Sequence, residues 1–212
     1  MRIIHAKIMP MDAPVIEDGY VDIAGGRIAA LGPMTSAGQT DEKDILDAAG
    51  ALLLPGFVDA HTHMGMWEDG LGFEGDDGNE DTDPSTPHLR AIDAINPLDR
   101  CFTEAARAGV TTVITGPGSA NPIGGQLCAV KTAGRRIEEM LLRAPVAMKM
   151  ALGENPKTVY HGKGQTPVTR MATAAIIREQ LACAVRYARD KQRAQEDEDA
   201  DEPEYDIKCE AL

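Results

Sequence analysis

The sequence contains no apolar run long enough to span a bilayer. Its first residues, MRIIHAKIMPMDAP, carry charge and proline where a signal peptide needs an apolar core. No membrane partner is expected, and a cytoplasmic location is. Cysteine is also scarce: Cys101, Cys128, Cys183 and Cys209 lie far apart and form no CxxC pair. A disulfide framework is therefore not expected, and the four read as reduced thiols. There is no basic stripe to meet phosphates, which argues against a nucleic-acid partner.

The 212 residues are 43% hydrophobic and 26% charged, the balance of a soluble globular protein with one sizeable domain or a small and a larger one. The formal net charge of −13 is local in origin. Glu68–Asp83 holds eight acids and no base, and Glu196–Asp206 holds eight more and no base. Elsewhere 18 acids face 21 bases, so the body is close to neutral.

The first fifty residues read as short strands broken by turns. MRIIHAKIM is rich in β-branched residues, and GYVDIAGGRIAALG is two strands about a Gly-Gly turn. DILDAAGALLLPG leads to a third. FVDAHTH is a further strand, followed by a long acidic loop. NPLDRCFTEAARAG predicts a helix with Asn96 as N-cap and Gly109 as terminator. VTTVIT, LCAVK and PVAMKMALGE follow as strands. A long helix is predicted from Thr169, with Met171, Ala174, Ile177, Leu181, Ala184 and Ala188 on its core face. Alternating strands and helices suggest a parallel sheet covered by helices, with too few units to close an eight-stranded barrel.

The chemistry centres on PGFVDAHTHMG. Side chains two apart on a strand share a face, so His61 and His63 point the same way, with Asp59 deeper on that face. Two imidazoles at a strand end can present nitrogen to one divalent ion, or they can simply end the strand. Further along, the glycine-rich GPGSANPIGGQ lacks the Gly-Lys-Ser/Thr ending of a phosphate loop. Its Ser119, Asn121 and Gln126 are candidate substrate contacts. Arg170 is another, as a carboxylate anchor or as a packing residue at a helix start.

PGFVDAHTHMG, AGVTTVITGPGSANPIGGQ and MKMALGENPK together resemble the amidohydrolase superfamily of metal-dependent hydrolases, on its imidazolonepropionase-related branch. The resemblance implies an α/β fold: a TIM-like (β/α)8 barrel over residues 55–212, preceded by a small β-sandwich domain over 1–54. The barrel part would carry an acidic loop at 68–83 and an acidic linker at 192–206.

It also implies one or two divalent ions, zinc first among them, activating water against a C–N bond. The substrate would be a small cyclic amide or a dipeptide-like molecule, and a full-length member would form a homo-oligomer. His61 and His63 would be the first-strand ligands. A bridging acid would come from Glu154, with a carboxylated Lys149 as the alternate; each also has a plain structural reading, as a surface carboxylate and an ion-paired lysine. No second HxH follows Glu154, so the general base is expected beyond Leu212. The chain therefore reads as an N-terminal part without activity of its own, or alternatively as a non-catalytic remnant or partner-binding module.

Overall fold

In this computed structural model, which describes residues 1–40 and 43–212, the chain divides into two compact units, 1–56 and 57–212. The first is built on β1 (Arg2–Ile8), β2 (Ile16–Ala24) and β3 (Arg27–Pro33), joined as antiparallel neighbours. The β2–β3 hairpin closes through Gly25 and Gly26, both at positive φ, as the tight turn of a right-twisted ribbon requires. Two short strands, β4 (Ile45–Asp47) and β5 (Leu52–Leu53), run parallel to β1 along its other edge. Where the sequence suggested one strand after the hairpin, Gly50 at positive φ divides two.

Ile3, Ala6, Ile8 and Val21 form the core of this unit. The described residues of this unit make one five-stranded sheet, and Ile28, Leu31 and Leu46 remain exposed on it. Arg2 donates Nε and Nη2 to the two carboxylate oxygens of Asp22, at 2.6 and 2.7 Å. Those hydrogen bonds hold the Asp22 carboxyl below its ordinary value. A depressed carboxylate stabilises the fold above about pH 3.9, its unfolded value, and loses that contribution as pH falls through the lower folded value. Asp22→Asn is expected to reduce stability at pH 7 and to flatten its dependence on pH below about 4. Urea melts of both proteins across that window check this.

The second unit is a four-stranded sheet in the order β6 (Phe57–Thr62), β7 (Val110–Thr115), β8 (Ile123–Lys131), β9 (Leu141–Met150). Only β6 and β7 are parallel, separated by a long loop and helix α1 (Arg100–Arg107). β8 runs antiparallel to both its neighbours, which corrects the expected all-parallel sheet. The reason is connection length. A parallel return needs a crossover of about a dozen residues or more, and the links 116–122 and 132–140 are shorter. The second link holds only a single helical turn, α2 (Ile137–Met140).

Phe102 of α1 packs with Met66, Ala91, Ile95, Val113, Cys128, Val130 and Met140 to form the core. Burial pushes the Cys101 and Cys128 thiols up to about 11, consistent with inert packing residues. Asp99, not Asn96, caps α1, accepting from the Cys101 amide at 3.1 Å. Asn96 instead accepts from Leu98 N and donates to Glu68, closing the turn before the helix.

Beyond β9 come α3 (Glu154–Gly162), α4 (Arg170–Glu196) and α5 (Ile207–Glu210). α4 begins at Thr169 as expected, with that residue as its cap, but the buried row is Thr173, Ile177 and Ala184. Met171 is 77% exposed and Leu181 40%, so the core face is rotated from the one read in the sequence. None of the helices among the described residues is long and apolar enough to cross a membrane.

Candidate metal centre

β6 lies at the edge of its sheet and delivers His61 and His63 at its C-terminal end. The end of the strand is tied down by threonines. Thr62 Oγ1 donates to Ile114 O at 3.3 Å, and the fully buried Thr115 donates Oγ1 to Met64 O at 2.9 Å. The Asp59 carboxylate accepts from the His61 backbone amide at 3.2 Å. The two imidazole rings sit 5.3 Å apart, centre to centre, and nearly perpendicular. Trp67 stands edge-on to His63 at 5.1 Å, at the root of the acidic loop.

His63 Nδ1 lies 2.7 Å from the Gly116 carbonyl oxygen. A carbonyl can only accept, so Nδ1 carries the proton and Nε2 keeps its lone pair. This is the outer-shell contact by which proteins orient a ligating histidine and raise its basicity. Gly116 follows β7, in a place where a Cβ would lie 2.3 Å from Leu127 Cγ. Its close packing thus sets the carbonyl that sets the ring. Neither Gly116 nor Trp67 was singled out in the sequence; the signal for Gly116 was its place at the end of the strand beside β6.

His61 Nε2 lies 3.0 Å from Lys149 Nζ, 88 residues away on β9. Lys149 is half-buried, and that burial lowers its pKa and favours the neutral amine. One imidazole nitrogen and a lysine nitrogen therefore meet at the sheet's end, with the His63 ring 5.3 Å from that of His61. The imidazoles suit a borderline divalent ion such as Zn2+. Lys149 suits one only after losing its proton.

Glu154 sits elsewhere. It opens α3 and lines a groove of about 630 Å3 with Ser119, Met150, Lys157 and Arg170. Three of the anticipated residues, Glu154, Ser119 and Arg170, thus share one polar groove beyond the end of β9. Asn121 is different: it is 2% exposed, and its amide is committed within the fold. Its Nδ2 donates to Glu80 O at 2.6 Å and Thr86 Oγ1 at 3.0 Å, while Oδ1 accepts from Tyr160 at 2.7 Å. Gln126 donates to Pro87 O at 3.3 Å and likewise fastens the acidic loop to β8.

No family model matches the chain. A search of curated proteins finds an amidohydrolase, tasK, of Hapsidospora irregularis, 37% identical over 166 residues, which are 72% of this chain and 17% of that one. An imidazolonepropionase of Streptomyces griseus is 31% identical over 142 residues, 59% of this chain and 34% of its own length. Among solved structures, an amidohydrolase from Thermotoga maritima superposes with a TM-score of 0.91 at 39% identity. That match covers 99% of this chain and 54% of the other. The chain thus spans from a sixth to about half the length of the proteins it matches.

Proposed function

The chain belongs to the amidohydrolase superfamily, among relatives of the imidazolonepropionases, and from that membership we propose a metal-dependent hydrolase that breaks a C–N bond in a small cyclic amide or dipeptide-like substrate. The observation that carries the proposal is the pairing of His61 and His63 at one strand end, with Lys149 at 3.0 Å from His61 and His63 held by the Gly116 carbonyl. In this reading the fold is part of a TIM-like barrel, with the donors at the C-terminal ends of strands, where such barrels place their chemistry. The small first unit is part of a β-sandwich.

His61 and His63 would hold a divalent ion, zinc by the chemistry of the donors. Lys149 is the third donor, as a free amine or as the carbamate formed when Nζ takes up CO2 and releases one proton. Glu154 stays in the groove. When bound, such an ion lowers the pKa of water and polarises a carbonyl. Arg170 and Lys157 present positive charge to the acyl side of a substrate, and Ser119 offers a hydroxyl.

Purified full-length protein, stripped by a chelator and reloaded with Zn2+, tests the reading on a panel of cyclic amides and dipeptides. Turnover that appears with the metal and vanishes without it is the expected result. Equal turnover without metal, or none on any amide when loaded, would sink it. Residues 1–212 alone are expected to give no turnover. β6 presents an unpaired edge beside the donors, with Phe57 and Val58 about 60% exposed, so water is not excluded there. Activity from this stretch by itself would refute that part.

A further inference from the structure

Near the end of the chain a second group of donors comes together, apart from the histidines. Cys183 is half-buried on α4, Cys209 is buried in α5, and Asp206 caps α5. One donor atom from each lies within 4.8 Å of the others. Among the described residues no other set of three or more histidine, cysteine or acidic side chains is gathered so closely.

We propose that Cys183, Asp206 and Cys209 form a metal site of their own, for a thiophilic divalent ion such as Zn2+, that ties α5 to α4. The spacing supports it. Cys183 Sγ and Cys209 Sγ are 3.4 Å apart. Two thiolates on a tetrahedral zinc, each at about 2.3 Å, stand roughly 3.8 Å apart, so a shift of a few tenths of an ångström seats the ion. Asp206 is set on the same side by its spacing, since a residue and the third one after it share a face of a helical turn. Its Oδ1 accepts from the Lys208 and Cys209 amides at 2.8 and 3.0 Å, which leaves Oδ2 for the ion.

The donor set selects the metal. Two thiols and one carboxylate suit zinc and softer ions, and give Mg2+ or Ca2+ too few oxygens. Three protein donors leave one tetrahedral position for water. Glu210 is not gathered with these three donors; its Oε1 accepts from Tyr187 and Lys191. An entry path exists: a groove of about 440 Å3, lined by Leu181, Val185 and Tyr187, reaches Cys209.

The role is structural. α5 is one helical turn, and its other polar ties include an exposed hydrogen bond from Tyr187 to Glu210 and exposed or half-exposed ion pairs, Lys191 with Glu210 and Lys208 with Asp83. Such pairs contribute little on their own. An ion joining residues 183, 206 and 209 would fix that turn whether or not the histidine centre is filled.

Full-length protein carrying His61→Ala and His63→Ala, kept under a phosphine reductant, isolates the site, with Co2+ alone as the probe. The expected result is one equivalent of Co2+ bound, with a thiolate-to-cobalt charge-transfer band in the near ultraviolet. Cys183→Ser or Cys209→Ser in that background abolishes the band, and Cys101→Ser leaves it. No band, or one that survives both Cys183→Ser and Cys209→Ser, would overturn the proposal. Alkylation of the otherwise unchanged double-histidine variant needs no cysteine substitution. Zn2+ should slow labelling of Cys183 and Cys209 together and leave Cys101 unaffected; labelling at the same rate with and without Zn2+ would overturn the proposal as well.

Discussion

His61→Ala and His63→Ala are each expected to release the catalytic ion and to lower kcat/KM by about a thousandfold or more, roughly 4 kcal/mol of transition-state stabilisation. Stability should change little for His61→Ala, because His61 is exposed and surface substitutions away from packing usually stay within about 0.5 kcal/mol. His63→Ala should cost about 1–3 kcal/mol as well, because it leaves the buried Gly116 carbonyl without its donor. Metal content per chain and a urea melt separate the two effects. Loss of activity with the ion retained would mean that the histidines act in some other way.

The same assay decides between the two candidate third donors. Lys149→Met should lower metal occupancy as the histidine variants do, because its Nζ lies 3.0 Å from His61 Nε2. Glu154→Gln should keep the ion and act mainly through KM, because Glu154 lies in the groove with Ser119 and Arg170. The reverse pattern would restore Glu154 as the ligand.

Local features of the fold were legible in the sequence. The Gly25-Gly26 hairpin and the start of α4 at Thr169 depend on residues within one turn of each other, and both form as the pattern suggests. Features set by connection length or distant packing were not. VTTVIT, LCAVK and PVAMKM are strands, yet their relative direction follows from how few residues join them, which strand propensity does not encode. α3 was obscured by Asn155-Pro156 and the glycines after Tyr160, although proline is tolerated in a first helical turn. The rotation of α4 depends on the neighbours it packs against, so periodicity supplied the helix and tertiary packing chose its face.

The site divides in the same way. The shared direction of His61 and His63 follows from strand geometry alone and could be read at once. Lys149 could be marked as an odd charge on an apolar strand, but its meeting with His61 across 88 residues needs the folded sheet. The acidic loop shows the converse. The structure ties it to the link before β8: Gly118 N donates to Gly78 O, Ala120 N to Asn79 Oδ1 and Asn121 Nδ2 to Glu80 O. The residues just after it run along β8, with Ser85 bridging Ile123 and Arg90 bridging Gln126.

Asn121→Ala follows from that arrangement and is expected to be the most destabilising single polar truncation in the second unit. The side chain joins three segments: Glu80 of the acidic loop with Thr86 just after it, the link before β8 that carries Asn121 itself, and Tyr160 of α3. Removing it strands the Tyr160 hydroxyl, in a residue with no exposure at all, and leaves the Glu80 carbonyl without its donor. Each orphaned buried group costs about 1–3 kcal/mol, so a total of roughly 3–5 kcal/mol is expected. Tyr160→Phe removes only the donor to Asn121 Oδ1 and should cost about 1–2 kcal/mol. Because the two side chains share one hydrogen bond, the double variant should lose less than the sum. Urea midpoints of the four proteins measure this. A role for Asn121 in holding substrate predicts the opposite: a raised KM, unchanged stability, and no coupling to Tyr160. If the melts coincide with the parent's, the clamp is refuted and the acidic loop is held by its backbone bridges alone.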